Sequence, residues 1–400
     1  MSQTSRALLP FGTTIFTTVS RLAQRHNAVN LAQGFPDFDG PDFIKDAAAQ
    51  ALRAHPNQYA PSPGLPLLRA RAAERFTAMT GLPADPESDV TVTAGCTEAI
   101  AACVLGLCNP GDRAVLIEPF YDSYRACLAM AGVSPVPVAV RPQPTGRFAL
   151  DLDELRAAFA QPGPAPRLLL LNSPHNPTGA VFTRDELAAI ADLCARAGTI
   201  VIADEVYDRL VYDPARTPHV PIASLPGMAD RTVSLNSLGK TFSLTGWKIG
   251  WAVAPAALSA AVRAAHQFLT FAVATPLQHA AAEALRREGD AVPPLLDTLR
   301  HGRAELSRAL ADIGLRPYAS EGTYFVLADH SALSARLGVG TDAEFCQRLI
   351  TAAGVAAIPP SVFYVRPELG RPMARFAYCK RPETIATAVG RLRDWAARSA

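Results

Sequence analysis

The stretch Ser234-Leu-Asn-Ser-Leu-Gly-Lys-Thr-Phe-Ser-Leu-Thr-Gly-Trp-Lys-Ile-Gly-Trp251 decides the reading of this chain, because it sets a lysine, Lys240, in a small-residue loop between two strand-like runs. A lysine that acts as a nucleophile must be partly uncharged, which takes desolvation or a second cation nearby. Lys248 follows in the same loop. Of the 38 Lys and Arg side chains, only Lys45, Lys240, Lys248 and Lys380 are lysines, so two of them in one uncharged loop stand apart from an arginine-rich composition. Taken alone, a Ser-x-x-Lys match arises freely by chance and fits an ordinary solvated lysine. Whether Lys240 is a covalent-cofactor site is decided by the rest of the chain.

Outward from that loop, short β-rich runs alternate with helical stretches. Residues 90–92 precede Gly95 and a helix over 98–107; 114–117 precede a helix over 121–131; 136–140 follow; 168–171 precede a helix over 184–197; then come 200–203, 233–235 and 250–254. This alternation predicts an α/β fold: a mainly parallel sheet flanked by helices, with ligands at the carboxyl ends of the strands. Gly95-Cys96-Thr97, Pro119-Phe120-Tyr121, residues 172–179, 204–207 and 237–240 each follow an apolar run, so these loops are expected to converge on one edge.

Before the first run, the sequence predicts an arm, a helix over 14–25, a Gly34- and Pro36-broken segment over 30–38, and helices over 42–54 and 65–80. After Pro255 an Ala-rich helical stretch runs to about Arg287, and a long helix starts at about Pro294. Strand-like runs after Gly322, at 355–358 and at 373–378, with helices over 342–353 and 382–398, predict a smaller α+β domain. Residues 141–145 and 161–166 read as surface turns. The expected division is an N-terminal arm and small-domain segment over 1–42, a large cofactor-binding domain over 43–290 and a small domain over 291–400.

At 400 residues, with 49% hydrophobic and 18% charged, the chain has the make-up of a globular protein with a large core. A formal net charge of +2 without blocks of like charge gives no argument for nucleic acid or an acidic membrane surface and points to a small-molecule partner. The seven cysteines, Cys96, Cys103, Cys108, Cys127, Cys194, Cys346 and Cys379, are odd in number and form no Cys-x-x-Cys pair, which argues against a disulfide framework and a structural metal. Residues 1–22 show no continuous apolar region, and no run reaches the roughly 18 apolar residues of a membrane span, so the expected location is the cytoplasm.

If Lys240 binds an aldehyde cofactor with a ring nitrogen, a phenolic oxygen and a phosphate, each group calls for a partner of predictable type. Asp204, ending the run Ile-Val-Ile-Ala, suits a pyridinium nitrogen; Tyr207 and Asn176 are donors suited to a phenolate. Gly95, Cys96 and Thr97 open a helix whose N-terminus suits a phosphate, with Ser237 adding a hydroxyl and Lys248 a charge. Tyr121 suits stacking on the ring. The bidentate partner of a substrate carboxylate is sought in the small domain, where Arg375 in Ala-Arg-Phe-Ala-Tyr378 is the candidate.

These motifs, with Thr13-Thr-Ile-Phe16, Asn30-Leu-Ala-Gln-Gly-Phe-Pro-Asp-Phe38, Asn57-Gln-Tyr-Ala-Pro61, Pro174-His-Asn-Pro-Thr-Gly179, Thr245-Gly-Trp-Lys248, His266-Gln-Phe-Leu-Thr-Phe271 and Glu321-Gly-Thr-Tyr-Phe325, resemble fold-type I pyridoxal-phosphate aminotransferases of class I/II, within them the methionine aminotransferase and kynurenine–oxoglutarate transaminase group. The resemblance covers nearly the whole chain. It implies pyridoxal 5'-phosphate as cofactor, Lys240 as Schiff-base lysine and proton shuttle, Asp204 as ring-nitrogen partner, and Tyr207 and Asn176 as phenolate ligands. It also implies Tyr121 as stacking ring, Gly95, Cys96, Thr97, Ser237 and Lys248 at the phosphate, and Arg375, Asn176 and the Gly34 backbone at the substrate carboxylate. Tyr59 would reach the phosphate of a partner subunit, implying a homodimer with shared sites. Phe16 stands where kynurenine-type enzymes carry tryptophan, and Gly95-Cys96 where Gly-Ala is usual. Phe16 in its Thr-Thr-Ile-Phe context points to methionine, followed by leucine, glutamine and aromatic amino acids; an apolar pocket separates such side chains by only about 1–3 kcal/mol per methylene.

The nearest rival is β-elimination from cysteine S-conjugates on the same cofactor, or kynurenine transamination. A cofactor-sensing regulator would need a DNA-binding module, for which residues 1–30 are too short and insufficiently basic. A nucleotide-binding oxidoreductase would show Gly-x-Gly-x-x-Gly after a strand, and none is present.

Overall fold

The computed structural model describes residues 4–399. Helix α1 (Ile15–Arg25) is capped by Thr14, whose hydroxyl accepts from the Thr17 N–H at 3.3 Å. Strand β1 (Val29–Asn30), α2 (Asp42–Ala54) and α3 (Pro66–Thr80) follow; α3 opens on Pro66, whose missing N–H costs nothing at a first helical position.

The large sheet uses β2 (Val90–Thr93), β3 (Arg113–Glu118), β4 (Ser134–Pro142), β5 (Phe148–Leu150), β6 (Leu168–Asn172), β7 (Ile200–Asp204), β8 (Thr232–Ser237) and β9 (Gly250–Val253), in spatial order β2-β9-β8-β7-β6-β3-β4-β5. Strands β8, β7, β6, β3 and β4 pair in parallel, while β9 is antiparallel to both neighbours and β5 to β4. The mainly parallel α/β sheet expected from the alternation is present. Helices α4 (Gly95–Leu107), α5 (Asp122–Met130), α6 (Leu152–Ala160) and α7 (Arg184–Ala197) lie between its strands in the chain. Every residue of β6 and β7 is buried, which is why both read as continuous apolar runs that break off at a polar residue.

The loop expected at Lys240 is instead a single helical turn, α8 (Leu238–Thr241), beginning where Ser237 ends β8. The Ala-rich stretch is two helices, α9 (Ala256–Leu269) and α10 (Thr275–Arg286), because Phe271 between them takes φ +68°, a conformation no right-handed helix can pass through. Helix α11 (Glu288–Asp312) begins before the expected Pro294 and holds Pro293 and Pro294 inside it; Glu288 and Asp290 in its first turn complement the helix dipole. The turn expected at 141–145 begins as the end of β4, and Pro142 pairs across to Phe148. Pro142 lies beyond the last β3–β4 pair, Glu118 with Ala139, so its missing N–H takes nothing from the central ladder.

A second sheet of β10 (Arg316–Pro317), β11 (Phe325–Asp329) and a later strand is followed by α12 (Ser331–Leu337), α13 (Asp342–Arg348) and β12 (Val355–Ala356). That later strand is β13 (Met373–Ala377), antiparallel to β11, and α14 (Pro382–Ser399) closes the chain. Strand β12 pairs with β1, tying the N-terminal arm to the C-terminal part of the fold.

Candidate active site

One cavity opens at the carboxyl ends of the central strands, and Gly95, Cys96, Thr97, Tyr121, Asn176, Asp204, Tyr207, Ser237, Lys240 and Lys248 all line it. The parallel register explains the convergence, because Asn172 at the end of β6 lies opposite Asp204 at the end of β7. Asn172 ties the two turns together: its Nδ2 donates to the Asp204 carbonyl at 2.8 Å and its Oδ1 accepts from the Asn176 N–H at 2.7 Å.

The Asp204 carboxylate is buried. Tyr124 Oη donates to Oδ2 at 2.5 Å, and Oδ1 faces the Cys96 thiol at 3.5 Å and the Val206 N–H at 3.4 Å. Burial is the largest influence and raises its pKa above the ordinary carboxylate value, against the Tyr124 bond that pulls it down. A cationic ring nitrogen against this group would return the lost solvation.

Lys240 Nζ stands 5.9 Å from the Tyr207 ring centre and 5.8 Å from that of Tyr324. Desolvation lowers its pKa; Lys248 pushes the same way, while Cys379 and Asp204 pull back. Both causes that a nucleophilic lysine requires are therefore present. Tyr207 is buried edge-on against Tyr324 at 5.3 Å, and Tyr324 Oη donates to the Gly34 carbonyl at 2.7 Å.

Gly95 opens α4 at φ +73°, and a Cβ placed on it would stand 3.2 Å from Lys248 Nζ. Lysine and helix N-terminus are thus pressed together, and Ser237 and Thr97 line the same cavity. A Cβ on Gly250 would approach the Gly95 carbonyl carbon to 2.8 Å, so the strand behind the helix start must also be glycine. The anion site, the buried carboxylate and the amine lining one cavity match the polar groups of pyridoxal phosphate, so the donor set fits that group.

Arg375 on β13 is fully buried, reaching Asn176 Oδ1 with Nη1 at 3.2 Å and the Ala32 carbonyl with Nη2 at 2.9 Å. Its Nε has no hydrogen-bond partner among the described residues. The guanidinium lies 4.3 Å from the Phe325 ring centre, 5.1 Å from Phe363 and 5.4 Å from Phe16. Burial brings its pKa down to about 10, which leaves it charged at neutral pH. Gly34 sits against Phe325, where a Cβ would come within 2.5 Å of that ring.

Four expected residues do not line this cavity: Gly34, Phe16 and Arg375 cluster with Phe325 beside it, Arg375 touching the lining residue Asn176, whereas Tyr59 is 82% exposed and packs edge-on against Phe271. Sequence reasoning misses Tyr124, Asn172 and Tyr324. Tyr124 follows Tyr121 by one helical turn and Asn172 ends a strand as Asp204 does, so spacing offers a signal for both; Tyr324 offers only its place in Glu321-Gly-Thr-Tyr-Phe325.

A buried lysine whose pKa is lowered, a buried carboxylate and an anion cradle in one cavity, with a buried arginine joined to its wall through Asn176, define an enzyme of amino-acid chemistry built on a carbonyl cofactor. The chain belongs to the aminotransferase class I and II family, whose description it matches over residues 26–392, and it is a pyridoxal-phosphate-dependent aminotransferase. It is 48% identical over 403 residues to a Mycobacterium tuberculosis protein named probable N-succinyldiaminopimelate aminotransferase, with 98% of each chain covered. It is 40% identical over 383 residues to the methionine aminotransferase of Escherichia coli, with 96% of each covered. The solved structure of N-succinyldiaminopimelate aminotransferase from Mycobacterium tuberculosis superposes with a TM-score of 0.92 at 46% identity, covering 98% of this chain and 100% of that one.

Proposed function

We propose that this aminotransferase takes the amino group of an uncharged L-amino acid, methionine first and then leucine, glutamine and the aromatic amino acids, and passes it to a 2-oxo acid in two half-reactions. The observation that carries this reading is Arg375, a buried charge with one donor unpaired and Phe16, Phe325 and Phe363 around it. A carboxylate meets the guanidinium while the side chain meets rings. N-Succinyldiaminopimelate is the second reading, favoured by the 48% identical relative. That substrate brings two further carboxylates, whereas the lysines lining the cavity are Lys240 and Lys248, both committed to the cofactor in this reading. Kynurenine transamination and β-elimination from cysteine S-conjugates remain alternatives on the same scaffold.

In this reading Lys240 holds pyridoxal phosphate covalently, Asp204 keeps the ring nitrogen protonated, Tyr207 and Asn176 donate to the phenolic oxygen, and Tyr121 stacks on the ring. Gly95, Cys96, Thr97, Ser237 and Lys248 hold the phosphate. Arg375, Asn176 and the Gly34 backbone orient the amino acid, and Phe16 bounds its side chain. When bound, the cofactor supplies an electron sink for the pair left as the substrate's Cα–H bond breaks. Lys240 Nζ, uncharged once released, would take that proton from the substrate Cα and give it up two atoms along, on the far side of the nitrogen.

The proposed assembly is a homodimer in which the partner subunit's Tyr59 reaches the phosphate. It is supported by the exposed edge where Tyr59 packs on Phe271 at 5.3 Å, with Phe268 86% exposed. The division at 1–42, 43–290 and 291–400 belongs to the same proposal. So does a cytoplasmic setting, in keeping with seven unpaired cysteines. Among the described residues no helix is long and apolar enough to cross a membrane.

The test is the visible spectrum of the holoenzyme mixed with one amino acid and no acceptor. Rapid loss of the visible band with methionine, and slow loss with N-succinyldiaminopimelate, supports the first reading; the reverse order establishes the second. Pyruvate and ammonia from a cysteine S-conjugate without an oxo acid would reveal β-elimination.

A further inference from the structure

His266, near the end of α9, is fully buried and has a partner on each ring nitrogen: Glu98 Oε1 at 3.0 Å from Nδ1 and the Ser62 carbonyl at 2.9 Å from Nε2. A carboxylate and a carbonyl both accept, so both ring nitrogens donate and the imidazole carries a positive charge. Burial, the largest single influence, opposes that charge, but the Glu98 bond, the Glu98 charge and the Ser62 carbonyl together outweigh it, and the pKa stands above the ordinary histidine value.

Each partner belongs to a different working part. Glu98 lies in the first turn of α4, and its other oxygen accepts the Ala94 N–H at 2.9 Å, fixing the entry to Gly95, Cys96 and Thr97. Ser62 belongs to the segment that carries Tyr59. That segment is also hung from the α9–α10 region by Thr275 Oγ1 on the Gln58 carbonyl at 2.7 Å, and by Gln278 Oε1 on the Leu65 N–H at 2.7 Å. The carbonyl of His266 itself accepts the Thr270 N–H at 2.9 Å and the Phe271 N–H at 3.1 Å. It thereby holds the turn where Phe271 sits at φ +68° against Tyr59. A bulky residue persists at that backbone angle only when its surroundings over-determine it.

We propose that His266 is a positioning residue that couples the phosphate end of its own subunit's site to the Tyr59–Phe271 edge which that subunit presents to its partner. The proposal rests on the dimer reading. An occupied phosphate cradle fixes the start of α4, hence Glu98, hence His266, hence the edge; by linkage the cofactor tightens the dimer, and the dimer tightens the cofactor by the same factor.

The experiment measures the dimer dissociation constant by sedimentation of labelled protein, with pyridoxal phosphate bound and after its removal, for wild type, His266→Gln and Glu98→Gln. The cofactor should tighten the wild-type dimer at least tenfold and either variant's dimer less than threefold. A general loss of stability would loosen both forms alike and leave the ratio intact, so the ratio separates coupling from mere structural damage. A wild-type dimer indifferent to the cofactor, or variants that keep the full ratio, would overturn the coupling and leave the dimer standing. A holoenzyme that is monomeric throughout would remove the dimer reading and the coupling with it. Should His266→Gln not fold, Glu98→Gln carries the comparison alone.

Discussion

Replacing Arg375 by alanine removes the only guanidinium described at the site, and the loss can be worked from its contacts. Two of its nitrogens are engaged by Asn176 Oδ1 and the Ala32 carbonyl, and Nε is free, so an incoming carboxylate meets Nε and one shared edge of the fork. A hydrogen bond to a charged group contributes about 1.5–3 kcal/mol, so two of them lost give about 3–4 kcal/mol after partial replacement by water. At 1.4 kcal/mol per decade this is a roughly hundred- to thousandfold fall in kcat/KM for methionine. Arg375→Lys keeps the charge but not the fork and should fall about ten- to a hundredfold. The assay is the pre-steady-state loss of the visible band with methionine and with the corresponding amine that lacks the carboxylate. The defect should appear with methionine and be nearly absent with the amine. Equal losses on both would mean that Arg375 shapes the cavity and does not grip the carboxylate, and the substrate reading would fall with it. Because burial leaves the guanidinium pKa at about 10, its grip should be constant below about pH 9 and weaken only as pH rises through 10.

Lys240→Ala should abolish turnover while the protein still binds pyridoxal phosphate non-covalently; near-normal turnover would remove the lysine from the mechanism. Tyr124→Phe takes away the 2.5 Å donor to Asp204 and should weaken cofactor affinity roughly ten- to a hundredfold by equilibrium dialysis, whereas unchanged affinity would make Tyr124 a plain core residue. Gly95→Ala puts a methyl beside Lys248 Nζ at a backbone angle of φ +73°, so cofactor affinity should drop about tenfold or more; an unaltered dissociation constant would move the anion site elsewhere. Glu154 is held down to about 2, chiefly by its bond to Arg366, from an ordinary 4.5. This folded-state pKa is depressed, so its stabilisation is full above pH 4.5 and disappears as pH falls from 4.5 to 2. The melting-temperature gap between wild type and Glu154→Gln should close across that window, and a gap that persists at pH 2 would refute the pairing.

Two of the site residues readable in advance lie at the end of a buried strand. Asp204 follows Ile-Val-Ile-Ala and Ser237 closes β8, and Asn172, which sequence reasoning misses, follows four leucines as Asp204 follows its run; burial on both faces of a parallel sheet demands such runs, and their ends mark the site edge. Arg375 is different: it sits inside a strand, and only a family resemblance separates it from the other arginines. Tyr124 and His266 lie deeper still, because buried aromatic residues on helices read as core. What gives them chemistry is a partner far along the chain, Asp204 for Tyr124 and both Glu98 and Ser62 for His266. Phe271 defeats pattern reading for a related reason: nothing in Leu-Thr-Phe-Ala announces a positive φ, which tertiary contacts impose against local preference. Asp204 and Ser237, proposed to meet the cofactor, are thus set by the ends of local runs, while the residues that hold those ends in place are set by long-range contacts. Substitutions of the second kind should act on affinity and assembly before they act on chemistry.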